Sequence, residues 1–63
     1  MSADTQAERD LIVRFIRKQA DLELLRSDAF ERAGETVEAR FHARLCDAFN
    51  IIAGRIERDE HDE

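Results

Sequence analysis

The stretch Arg14-Phe15-Ile16-Arg17-Lys18-Gln19 sets three cations around one aromatic ring, with an amide one helical turn after the ring. On a helix Phe15 and Gln19 are vertical neighbours, and Arg26, eleven residues beyond Phe15, returns to nearly the same angular position. Phe15, Gln19 and Arg26 then form a line, with Arg14 and Lys18 flanking it and Arg17 close by. Such a line combines stacking, hydrogen bonding and positive charge, which is the chemistry that holds phosphates, 2′-hydroxyls and unstacked bases. Taken by themselves, the same residues read first as a core phenylalanine with cations on a solvated face.

No second constellation with chemistry stands beside this one. His42 and His61 have neither a Cys nor a paired carboxylate at metal-ligand spacing, and Ser2 and Ser27 have no neighbouring base. The expectation is no catalytic residue, no metal, no cofactor and no enzymatic activity. His42 is expected to be structural, bonding a carbonyl across the helices, and Cys46 to be a small, half-buried apolar residue. A single cysteine cannot form an internal disulfide, so a reduced, cytoplasmic setting is expected.

Size and charge limit what can position these residues. The chain has 63 residues, two Gly, no Pro and 40% charged side chains. A chain this short buries only about 60% of the surface that its unfolded form exposes, so a lone core is marginal and self-association is the expected remedy. The formal net charge is -5, but Asp59, Glu60, Asp62 and Glu63 crowd the last five residues, leaving ten cations and eleven anions in residues 1–58. Residues 9–18 are the one clearly basic stretch, and a local patch attracts phosphate whatever the total charge. The polar, acidic start and short apolar runs such as Leu11-Ile12-Val13 predict neither a signal peptide nor a membrane span.

The absence of Pro, the many Ala, Leu, Glu and Arg residues, and the lack of alternating apolar runs predict helix nearly throughout. The one strong break is Ala33-Gly34-Glu35-Thr36, where Gly34 suits the left-handed residue after a helix end and Thr36 suits the next N-cap. The reading is a single domain over residues 1–58, with helix 1 at about 5–32, a turn at 33–35, and helix 2 at about 36–57. Residues 59–63 are read as an acidic, disordered tail. On helix 2, Val37, Phe41, Leu45, Ala48, Phe49, Ile52 and Ile56 form one apolar stripe, taken as core. Helix 1 carries two apolar lines: Val13, Ile16, Ala20 and Leu24, and beside them Leu11, Phe15, Leu22, Leu25 and Ala29. A two-helix hairpin covers one line and leaves the other open. The predicted fold is therefore all-α, a helical hairpin that dimerises into an antiparallel four-helix bundle. Its core and dimer contacts would come from Val13, Ile16, Leu22, Leu25, Val37, Phe41, Leu45, Phe49, Ile52 and Ile56. A turn begun early at Ser27-Asp28, or one continuous helix through Gly34, are the other arrangements the pattern admits.

Arg14-Phe15-Ile16-Arg17-x-Gln19 resembles the Arg-Phe-Ile-Arg-x-Gln motif in the first helix of the Rop (repressor of primer) family of plasmid copy-number regulators. Phe41-His42 is similar to the family's Leu-His, Phe49 stands at its Tyr, and Gly54-Arg55-Ile56 resembles its Ala-Arg-Phe, with an acidic tail following in both. Total length agrees. Aligning both helices needs one or two extra residues in helix 1, near Ala20 to Glu23, with compensation at the turn. Leu11 replaces a family Asn one turn before the Phe, and Asp4 or Ala3 stands where the family has Lys.

The resemblance implies an antiparallel homodimer of helical hairpins whose paired first helices bind the loop–loop complex between an antisense RNA and a replication primer RNA. Stabilising that pair of kissing stem-loops would lower priming and plasmid copy number. Phe15 would be the central contact, with Arg14 and Gln19 beside it, Arg17 and Lys18 as neighbouring cations, and Arg26 as the nearest equivalent of a Lys farther along the family's first helix. The competing expectation is a small protein–protein interaction module, antitoxin-like or phage-inhibitor-like, that docks a partner's helix through Leu11, Phe15, Leu22 and Leu25 and has no RNA role.

Overall fold

A computed structural model describes residues 3–59, with side chains described over 5–58. Two helices form it: α1, Ala3–Arg32, of 30 residues, and α2, Thr36–Asp59, of 24. There is no strand among the described residues. The helices pack side by side as a helical hairpin. α1 begins two residues before the expected start and runs through residues 20–23 and 27–28 unbroken. Asp59 closes α2, so the acidic tail assigned to 59–63 lies, from residue 60 onward, outside the described residues.

The turn is built by backbone hydrogen bonds that satisfy the last carbonyls of α1. The Glu35 N–H donates to Phe30 O at 2.9 Å and the Gly34 N–H to Glu31 O at 3.0 Å, the paired bonds of a Schellman motif. That geometry needs a left-handed residue, and Gly34 supplies it at φ 80°. The N-cap of α2 differs from the expectation. The Ala39 N–H bonds Glu35 O at 3.0 Å, so Glu35 is the cap and Thr36 is already the first helical residue. With the Schellman bonds fixing Glu35, no loop is left in which Thr36 could cap.

Where the helices meet, burial recurs at alternating spacings of three and four, the heptad signature of two helices packed nearly in line. On α1 the seam runs through Val13, Ile16, Ala20, Glu23, Ser27 and Phe30, and on α2 through Ala39, His42, Cys46, Phe49, Ala53 and Ile56. Its most enclosed members are small: Ala20 and Ala53 are fully buried, with Val13, Ala39 and Cys46 close behind. Small side chains let the helix axes approach, and the large ones are pushed to either side.

This corrects the expected core within the chain. Phe41, Val37 and Ile52 on α2 and Leu25 on α1 are 58%, 75%, 47% and 64% exposed, and Ala48 is exposed as well. Leu45, Phe49, Ile56, Ile16 and Leu22 are half-buried. Leu24 is also exposed, because Glu23 takes the seam position that the apolar line assigned to it. The α2 stripe had been centred on the large residues, a flank away from the small ones that touch α1.

The Cα atoms span 49 × 17 × 9 Å, so the hairpin is one helix thick and has two open flanks. Arg17 follows a seam position on α1 and Asn50 follows one on α2; their contact at 3.3 Å puts both on the same flank, with Ala43 and Glu57. Ile12, Phe15, Gln19, Leu22 and Arg26 therefore share the opposite flank with Phe41, Leu45, Ala48 and Ile52. One flank is mainly polar and the other is mainly apolar.

Candidate nucleic-acid interface

The helix that carries the Arg-Phe-Ile-Arg-x-Gln run is continuous across it, so the placement of each side chain follows from its distance to the seam. Ile16 points toward α2 and is half-buried, which turns Phe15 outward to 63% exposure. Arg14 and Lys18 stand exposed on the outer side of α1, flanking the ring. Gln19 is half-buried where the apolar flank meets the seam, one turn beyond Phe15. These four form a contiguous surface. Neither Arg14 nor Lys18 joins any ion pair among the described residues.

The other two cations are committed elsewhere. Arg17 lies on the polar flank, where its guanidinium donates to the Glu57 carboxylate and to Asn50 Oδ1. Arg26 lies on the Phe15 flank but donates to the Glu23 carboxylate one turn back, keeping a half-exposed side chain. The six residues therefore split into a free group of four and two cations with acidic partners.

Between the helices, near the turn, sits a polar cluster whose key members the residue pattern did not reveal. Glu23 is only 6% exposed, and its Oε1 lies 2.5 Å from His42 Nδ1 while its Oε2 accepts from Arg26. The hydrogen bond from His42 holds the Glu23 carboxyl below the usual glutamate range; burial works against this, and the Arg26 guanidinium adds to the lowering. His42 bonds across the helices as expected, but to a carboxylate and not to a carbonyl. Its ring stacks on Phe30 at 5.2 Å between centroids and meets Phe41 edge-on at 5.2 Å, so two aromatic contacts fix its plane. One turn along, buried Ser27 Oγ donates to Ala39 O at 2.8 Å. A signal for Glu23 and Ser27 was present: both fall on the heptad line through Val13, Ile16 and Ala20. Their polarity hid it.

Cys46 is a buried free thiol whose sulfur accepts a weak bond from Asn50 Nδ2 at 3.7 Å. Among the described residues no group of His, Cys, Asp and Glu is arranged to hold a metal ion, and no helix is long and apolar enough to cross a membrane. The chemistry on offer is that of a surface: two exposed rings, Phe15 and Phe41, two cations with no ion pair among the described residues, an amide, and an apolar flank running on to α2. Compared with protein-family models, with curated proteins and with solved structures, the chain matches none.

Proposed function

We propose that this chain is a homodimeric RNA-binding regulator that stabilises the loop–loop complex between an antisense RNA and a replication primer RNA, and so lowers plasmid copy number from the cytoplasm. The observation that carries the reading is the exposure of Phe15, 63%, between the unpaired cations Arg14 and Lys18. A phenylalanine that stands mostly exposed on the hairpin is available to stack where bases unstack. Arg14 and Lys18 take phosphates and Gln19 bonds a 2′-hydroxyl, which favours RNA of a given shape over a given base sequence. No covalent step is involved, and the protein is not an enzyme.

Self-association supports the same reading. The chain exposes 5029 Å², against roughly 4,200 Å² for a compact monomer of this mass. The excess is of the order of the ~800 Å² that each partner buries in a standard interface. A second copy would double the four-residue surface by two-fold symmetry. One observation favours a second reading, a protein–protein module: Phe15 shares its flank with exposed Ile12, Phe41 and Ile52, and a partner's helix would cover all four.

A gel-shift titration separates the two, using complementary stem-loops that kiss, a matched plain duplex and a single hairpin, at low and moderate salt. The RNA reading expects preferential retention of the kissing pair, weakening with salt and lost in Phe15→Ala with helicity and dimer unchanged. No retention of any RNA at low salt, together with a Phe15→Ala chain that fails to self-associate, would leave the interaction module.

A further inference from the structure

We propose that the outer face of α2 is a second, separate RNA-backbone contact surface, formed by Arg40, Arg44, Arg55 and Arg58. The proposal rests on RNA being the ligand, as above, but on none of the same residues. At 3.6 residues per turn these four arginines fall within about 60° of one another, directly away from the seam residues Ala39, Cys46 and Ala53. All four are exposed, and the row runs about 27 Å along the helix. None joins an ion pair among the described residues. Asp47 is the one acidic side chain described on that face, and nearby Glu57 is held by Arg17 on the polar flank.

A face kept only for solubility mixes its signs, with opposite charges three or four residues apart. α2 instead sets like charges at Arg40/Arg44 and Arg55/Arg58, an arrangement that disfavours the helix, and Asp47, three residues after Arg44, is the one opposite charge at that spacing among the side chains described on the face. The outer side of α1 shows the ordinary arrangement, with Asp10, Asp21 and Asp28 set among Arg14, Lys18 and Arg32. Guanidinium groups bind phosphate through paired donors, and a row of them along one helix is the footprint of a nucleic-acid backbone. Val37 and Ile51 are the exposed large apolar residues of this face, separated along it by Arg40 and Arg44, so no continuous apolar strip exists to enter a lipid surface. Arg40, Arg44 and Arg58 lie on the far side of the hairpin from Arg14 and Lys18, while Arg55, a heptad after Ala48, borders the Phe15 flank, so the α2 face meets its own RNA segment and contributes charge without discrimination.

The test is binding of the full-length protein to a plain A-form RNA duplex across a salt series, for the wild type, Arg44→Ala/Arg58→Ala, Arg44→Lys/Arg58→Lys and Phe15→Ala. The double alanine variant should lose roughly tenfold in duplex affinity at low salt, and its log–log salt slope should fall by about two, one per cation removed. The lysine variant should keep the slope, and Phe15→Ala should lose the preference for a kissing pair over the duplex. Circular dichroism of the three variants is expected to match that of the wild type. An unchanged affinity and slope in the double alanine variant overturns the proposal even if Phe15→Ala abolishes kissing-pair binding. So does a wild type that binds phosphatidylserine vesicles but no duplex. If Phe15→Ala leaves kissing-pair binding intact while the double alanine variant loses the duplex, the helix 1 contact fails and the α2 surface stands.

Discussion

The two ends of the hairpin are held together by different forces. At the turn end the seam is polar: Glu23 bonded to His42 and Arg26, and Ser27 bonded to the Ala39 carbonyl, all closed off by the Schellman turn. At the open end it is apolar, with Val13, Ile16 and Ala20 on α1 and Phe49, Ala53 and Ile56 on α2, its most enclosed members small, and the exposed Arg17 bonds Glu57 and Asn50 across it. Apolar contacts of small residues are forgiving in register, since one alanine packs much like another a heptad away. A buried carboxylate is not forgiving. Slid by one heptad, Glu23 would face an apolar ring or a charge of its own sign instead of His42, and an unpaired buried charge is among the costliest defects a seam can contain. The turn end therefore sets the register and the open end supplies close contact.

The largest effect that breaks this division is expected at the open end. Ala53 is fully buried, and Ala53→Leu adds three carbons where the helices touch. Overpacking of this kind costs about 1–3 kcal/mol. Urea melts followed by circular dichroism should show it as a lower midpoint. The turn-end bonds should persist, because the helices can splay apart at their free ends while the turn holds the other. A variant as stable as the wild type would mean that the open end is not tightly packed.

A smaller, pH-dependent effect is expected at the turn end. Its sign follows from Glu23, whose carboxyl sits below the usual glutamate range because His42, and after it Arg26, stabilise the charged form. The stabilisation is fully present above the pKa of an unfolded glutamate and is lost as pH falls through the lower folded value. Wild type and Glu23→Gln should differ most above the pKa of an unfolded glutamate, with the wild type more stable, and should converge as pH falls below that range and through the lower folded value. The effect is smaller than overpacking because a protonated carboxyl, like the amide, remains a hydrogen-bonding partner. Parallel acid-limb profiles for the two proteins would show that Glu23 is not linked to folding.

How much of this was legible in the residues depends on the end considered. The hairpin, the Gly34 turn and the Val13–Ile16–Ala20 line follow from propensity and spacing, because each is a local rule read from neighbouring residues. The rest of the seam does not, since hydrophobic patterning weights large apolar side chains, and here the helices chose small and polar ones. Leu24 drew the line away from Glu23, and Phe41 and Ile52 drew the α2 stripe away from Ala39, Cys46 and Ala53. The outward aspect of Phe15 was likewise ambiguous, as a helix with two apolar lines does not say which one its own partner takes. Nor does charge counting show which cations are free: Arg17 and Lys18 are adjacent in sequence, yet one faces an acid from the other helix and its neighbour faces outward.

That last contrast yields the smallest expected effect. The Arg17–Glu57 pair is half-exposed on both sides, and such surface pairs contribute about 0.2–1 kcal/mol. Arg17→Ala should lower stability by no more than that, and by less at high salt, because screening removes most of what the pair provides. Its effect on RNA should be equally slight if Arg17 is spent on Glu57, whereas Lys18→Ala, at a cation with no ion pair among the described residues, should weaken kissing-pair binding and reduce the salt slope by about one. Measured side by side, the two substitutions separate a cation that holds the open end from one that serves the surface. Equal losses of RNA affinity would mean that Arg17 leaves Glu57 when RNA arrives, and that the polar flank belongs to the interface after all.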